Sequence, residues 1–139
     1  MMNGRTFLDT NVLIYAFADN SAKLGVAERL VNRGGAVNIQ ILNELANALH
    51  RKFGFGWLQI REIIDSILVT CPDPLPLGLE THRAGLRICE RYGYSVYDGL
   101  IIAAALEADC RVLYSEDMQH GQVIDGLRIE NPFRAISAP

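Results

Sequence analysis

Residues 7–17 read FLDTNVLIYAF, an oily run interrupted by one acid, Asp9, and one amide, Asn11. Burying an ionised carboxylate costs on the order of several kcal/mol unless the charge is paired or hydrogen-bonded. Arg5–Asp9 reads as a short strand ending in that acid. Asn11 can cap a short helix over Val12–Ala18. A strand that runs into an acid and then at once into a helix is the local grammar of an α/β sheet. In such sheets ligand sites gather outside the carboxyl ends of strands.

The remaining chain repeats that grammar. Ser21–Arg33 carries helical spacing (Leu24, Ala27, Leu30, Val31) and stops at Gly34-Gly35. Ala36–Ile39 reads as a second strand. Gln40–Phe53 is amphipathic, with Ile41, Leu42, Leu45, Ala46, Ala48 and Leu49 on one arc. Trp57–Val69 is another helix. Pro72, Pro74 and Pro76 then leave room for a short strand near Val69–Cys71 or for a plain connection. Leu77–Tyr92 is helical and stops at Gly93. Ser95 can cap a helix running to about Ala108 that is apolar almost all round and therefore central. Arg111–Tyr114 is a strand, a short turn or helix follows, and a last strand lies near Leu127–Ile129. Alternating strands and helices imply a mainly parallel sheet with helices on both faces.

The chain has 139 residues, half of them hydrophobic, which suits one domain over residues 1–139. No basic-then-apolar leader opens it, and no apolar run approaches the roughly 20 residues a bilayer demands. Cys71, Cys89 and Cys110 stand apart without a CxxC pair, as reduced thiols filling a cytoplasmic protein's core would. The formal charge of −3 argues against simple electrostatic binding of nucleic acid, unless several acids belong to one metal site.

Four acids sit where a doubly wound fold can collect them: Asp9, Glu44, Asp98 and Asp117. Each has a plainer role open to it. Asp9 can serve the strand-to-helix turn. Glu44 lies about 60° from Ile41 and about 40° from Ala48 on a helical wheel, at the shoulder of the apolar arc, and can be a solvated residue. Ser95-Val96-Tyr97-Asp98 fits the S-x-x-D capping box. Asp117, next to Glu116 in YSEDMQHG (residues 114–121), can be an ordinary loop acid. Together they describe carboxylates that repel one another, raise each other's pKa and call for a hard cation. Mg2+ or Mn2+, as one or two ions, would answer that need with oxygen ligands. Two such ions can stabilise the attacking and leaving oxygens of an in-line displacement at phosphorus. They would also move the net charge from −3 to about +1, so the chain could receive a polyanion.

FLDTNVLIYAF (7–17), IQILNELANAL (39–49), YSVYDGLIIAAAL (94–106) and LYSEDMQHG (113–121) occur in that order, at suitable separations. In these motifs the chain resembles the PIN-domain family, and most closely its VapC-like toxins, over nearly its whole length. The resemblance implies a three-layer α/β/α sandwich and a metal-dependent endoribonuclease. Asp9, Glu44, Asp98 and Asp117 would be the metal-binding, catalytic acids. Asn11 and Ser115 would position an acid or a water. A metal-bound water would attack phosphorus in line, leaving a 5′-phosphate and a 3′-hydroxyl. A cognate antitoxin, lying across the acidic groove, and a homodimer are implied partners. Two positions depart from the family pattern: Asn38 stands where many relatives carry Ser or Thr, and Gly99 where Ala is usual.

Other readings compete. An aspartyl-phosphate phosphatase wants a second Asp where this chain has Asn11. A phospho-accepting receiver wants a late lysine, but Lys23 and Lys52 are the only lysines. A PIN-like module that binds RNA or protein without cutting would have no need of all four acids. Arg83, Arg87 and Arg91 form a helical stripe that Glu80 and Glu90 share, as in a solvated, salt-bridged face. Arg51 and Lys52 suit the dipole at the end of the Glu44 helix. His120 is expected at the surface.

Overall fold

A computed structural model describes residues 5–18 and 21–137. β1 (Arg5–Leu8) runs parallel to β2 (Cys110–Tyr114), and β2 runs parallel to β4 (Leu127–Glu130). β3 (Val123–Ile124) closes the sheet as an antiparallel edge, giving the order β1-β2-β4-β3. The helices are α1 (Thr10–Ala18), α2 (Lys23–Arg33), α3 (Ile39–Arg51), α4 (Trp57–Thr70), α5 (Leu79–Tyr92), α6 (Val96–Glu107) and α7 (Arg134–Ser137). The expected α/β architecture with a mainly parallel sheet is the one observed.

Phe7, Leu8, Val12, Leu13, Ile41, Leu45, Ile102 and Leu113 are fully buried and knit β1, β2, α1, α3 and α6 into one core. Each such side chain contributes roughly 1.5–3 kcal/mol of apolar burial. Helix α6 is buried from Gly99 through Ala105, as its all-round apolar sequence requires. Ser95 caps it, accepting from the Asp98 N–H at 3.3 Å. Gly93 ends α5 in the left-handed region, φ 81°.

Two local expectations are corrected, and a third stretch resolves between its two readings. No named strand covers Ala36–Ile39. Ala36 and Asn38 make single parallel bridges to Phe7 and Leu75, because Asn38 already caps α3. Its side chain accepts from the Ile41 N–H at 3.0 Å, the task a Ser or Thr would perform there. Asn11 does not cap α1 but lies within it. The stretch near Val69–Cys71 forms no strand, since α4 continues to Thr70.

Candidate active site

The parallel register sets Leu8 beside Tyr114, so Asp9 and Ser115 each stand one residue beyond adjacent strand ends. The Asp9 N–H donates to the Tyr114 carbonyl at 3.1 Å, and the Ser115 N–H donates to the Glu130 carbonyl at 2.9 Å. This places the two side chains face to face. The Ser115 hydroxyl donates to Asp9 Oδ2 at 2.7 Å, and the Thr10 N–H donates to Asp9 Oδ1 at 2.7 Å. Asp9 is 6% exposed and Ser115 fully buried.

Glu44 projects from α3, half-buried. Thr10 Oγ1 donates to its Oε1 at 2.9 Å, and Gln40 Nε2 donates to its Oε2 at 3.0 Å. Gln40 Nε2 also reaches the Tyr97 carbonyl at 3.4 Å, tying α3 to the first turn of α6. Asp98 sits in that turn. Asn11 Nδ2 donates to Asp117 Oδ2 at 2.7 Å. Asn11 and Ser115 thus each hold one of the four acids. Asp9, Glu44, Asp98 and Asp117 line one open cleft of about 520 Å³.

Electrostatics join the four acids more firmly than contact does. Burial pushes the Asp9 carboxyl up from 3.8 to about 6. The Ser115 and Thr10 hydrogen bonds pull it down, and the Asp98 and Glu44 charges raise it further. Asp98 is raised as well, first by burial, then by the Asp117 charge, against a hydrogen bond with Ser95 and with a further push from Glu44. Among the described residues none of the four acids pairs with a Lys, Arg or His. Carboxylates gathered on one cleft without an ion pair of their own suit a bound cation.

Among the described residues, no three His, Cys, Asp or Glu side chains draw together into a closed ligand group. Thr10 and Gln40 hydrogen-bond Glu44, and Asn11 hydrogen-bonds Asp117. A hard ion that keeps several waters fits such a loose, all-oxygen set, whereas a tight four-ligand structural cage does not.

Glu116 goes elsewhere. It pairs with Lys23 and accepts from the Tyr15 hydroxyl at 2.6 Å, which leaves Asp117 as the late acid lining the cleft. His120 is not at the cleft either: its Nδ1 accepts from the Asn131 N–H at 3.0 Å. Arg83 pairs with Glu80 on an exposed face, as the charge pattern implies.

Thr10 and Gln40 were not singled out from sequence. The i, i+4 spacing of Gln40 and Glu44 was the available signal for one of them; Thr10 offers none. Arg51, Lys52 and Tyr97 line the cleft too.

The model of the PIN domain family matches residues 6–124. No curated protein matches the chain. Three solved structures show the same fold. The VapC20 toxin of Mycobacterium tuberculosis, which cleaves the sarcin-ricin loop, is 18% identical with a TM-score of 0.62, over 81% of this chain and 89% of that one. VapBC2 of Rickettsia felis, solved on a DNA fragment from its promoter, is 19% identical with a TM-score of 0.64, over 90% and 96%. A toxin–antitoxin complex from Klebsiella pneumoniae is 16% identical with a TM-score of 0.67, over 91% and 97%.

Proposed function

The chain belongs to the PIN-domain family, and on that premise we propose that it is a Mg2+- or Mn2+-dependent endoribonuclease, the toxin of a toxin–antitoxin pair. One observation carries the reading: four carboxylates from four separate segments line one cleft, and among the described residues none of them is ion-paired with a protein cation. Asp9, Glu44, Asp98 and Asp117 hold one or two ions in this reading. A hard divalent cation there would supply the positive charge that draws in and polarises a phosphodiester and makes hydroxide available near neutral pH.

The chain's own residues do the positioning. Ser115 and the Thr10 N–H fix Asp9 through one hydrogen bond to each oxygen. Thr10 and Gln40 do the same for Glu44, and Asn11 steadies Asp117. In the metal-free chain burial lifts the proton affinity of Asp9 to about 6, so its charged form gains from a cation held beside it. In-line attack at phosphorus then leaves a 5′-phosphate and a 3′-hydroxyl.

The toxin–antitoxin neighbours support a cognate antitoxin covering the cleft. The sarcin-ricin activity of VapC20 supports RNA as the substrate. We place the protein in the cytoplasm as a homodimer of single PIN-like domains, residues 1–139; no described helix is long and apolar enough to cross a membrane.

The test is cleavage of structured and single-stranded RNAs by the purified chain, Asp9→Asn and Asp98→Asn, with Mg2+, Mn2+ or EDTA. The reading expects cleavage by the wild type alone and only with metal. Cleavage that survives EDTA or both substitutions overturns it. RNA binding without any cleavage would favour a non-catalytic PIN-like module.

A further inference from the structure

Besides the acids, the cleft is lined by Arg51 and Lys52, at the carboxyl end of α3, and by Tyr97, which is 64% exposed and precedes Asp98 in α6. The helix dipole accounts for cations at that helix end, but not for their bordering an acidic cleft. Neither cation forms an ion pair among the described residues, whereas Lys23, Arg83 and Arg128 each do. Glu44, Asn47, Ala48 and Arg51 all line the cleft and recur at i, i+3, i+4 and i+7 of α3. They therefore form one stripe. Arg51 stands about 10 Å along it from Glu44.

This distribution of charge has a direct reading. A phosphate at the acids would be the reacting one. A second phosphate of the same strand, roughly one or two nucleotides away, would meet Arg51 and Lys52. Tyr97 is an exposed aromatic residue lining the same cleft, and its backbone carbonyl accepts from Gln40 Nε2. An exposed aromatic ring beside a cationic track is how proteins hold unpaired strands, with bases stacked on the ring and the backbone on the cations. A base locked in a duplex cannot stack on such a ring.

The geometry points to Arg51, Lys52 and Tyr97 as the substrate-gripping residues of the cleft. This rests on the ribonuclease reading above. Arg51 and Lys52 bind backbone phosphate, and Tyr97 stacks a base next to the cleaved bond.

The test measures fluorescence anisotropy of a short labelled single-stranded RNA on the uncleaving Asp98→Asn chain over a range of KCl. The same chain then carries Arg51→Gln, Lys52→Gln, Tyr97→Leu or Tyr97→Phe. Each lost cation should weaken binding and flatten the log–log salt dependence by about 0.7. Tyr97→Leu should weaken binding roughly tenfold with the salt slope unchanged, and Tyr97→Phe should restore it. In the otherwise unchanged chain the three disruptive substitutions should raise KM more than they lower kcat. Annealing a complementary strand to the RNA should abolish tight binding.

RNA binding with an unchanged salt slope in the Gln variants, or equal affinity for the duplex, overturns this assignment and leaves the ribonuclease reading standing. Failure of the unsubstituted chain to bind or cut any RNA overturns both.

Discussion

Gly99 rests against Gly85: a methyl group at position 99 would stand 2.7 Å from the Gly85 carbonyl oxygen and would also collide with Cys89 Sγ. A methyl on Gly85 would in turn meet Leu100 Cδ2 at 2.8 Å and its Cα at 3.1 Å. Helices α5 and α6 therefore touch backbone to backbone at this crossing. An alanine at position 99 would have no room against the facing helix. Asp98 is the residue before Gly99 in α6, so the crossing also sets the depth of one acid.

Gly99→Ala should therefore destabilise the fold by about 1–3 kcal/mol, the cost of overpacking. In an unobstructed helix the same change gains up to about 1 kcal/mol. The sign in a urea or thermal melt decides between the two, and a raised midpoint would mean that the helices do not lie this close.

Asp9 sets a pH dependence in metal-free buffer. Its carboxyl titrates at about 6 in the fold against 3.8 ordinarily, so the folded chain holds more protons between those values. The stability this represents is fully present below about pH 4 and is lost as pH rises through 6. The difference amounts to about 3 kcal/mol. Asp9→Asn, which keeps the size and one acceptor oxygen, should be the more stable protein near pH 8 in EDTA, with the gain shrinking towards pH 4. Urea midpoints across that range check it; a constant difference at every pH would contradict the buried-charge account.

Metal should reverse the penalty. Mg2+ or Mn2+ at about 100 times its Kd should stabilise the wild type by about 2.7 kcal/mol. Chains carrying Asp9→Asn together with Asp98→Asn should show little of that rise. Differential scanning calorimetry with and without EDTA reads it, and equal rises in both proteins would remove the acids from ion binding.

Much of the site was readable because its chemistry is written in residue type. An acid at the end of an apolar strand, a Ser–x–x–Asp helix start and an acid after a late strand each survive as local patterns. What joins them is not local. Thr10 meets Glu44 only because α1 and α3 pack together, and no spacing announces that. Arg51 and Lys52 suited a helix terminus so well that their place on the cleft could not be read from the helix alone. The Ala36–Ile39 stretch has a strand's composition, but the cap at Asn38 starts a helix before a ladder can form. The β3–β4 hairpin did carry a signal, Asp125-Gly126 between Val123-Ile124 and Leu127, with both turn residues at positive φ. The two-residue strand before it was too short to show alternation.

Ser115→Ala should cost about 1–3 kcal/mol at pH 8, because it removes a hydrogen bond to a buried charge. The cost should be smaller at pH 4, where Asp9 is neutral. In EDTA the same substitution should move the pH dependence of stability upward, since that bond holds the Asp9 pKa down. An unmoved pH dependence would detach Asp9 from the titration.

The neighbouring acids Glu116 and Asp117 should separate cleanly. Glu116→Gln breaks the pairing with Lys23 and should lower the melting temperature slightly, leaving metal-dependent cleavage intact. Asp117→Asn should leave stability almost unchanged and reduce cleavage at limiting metal. The reverse pattern would exchange their roles.

The strand order has a consequence for synthesis. Among the described residues, β1 has only β2 beside it in the sheet apart from a single bridge at Ala36, and β2 begins at Cys110. A polypeptide halted by a premature stop before that point keeps Phe7 and Leu8 without their neighbour and Asp9 without Ser115. Message truncation anywhere upstream should thus yield an insoluble, protease-sensitive fragment rather than a partly active one.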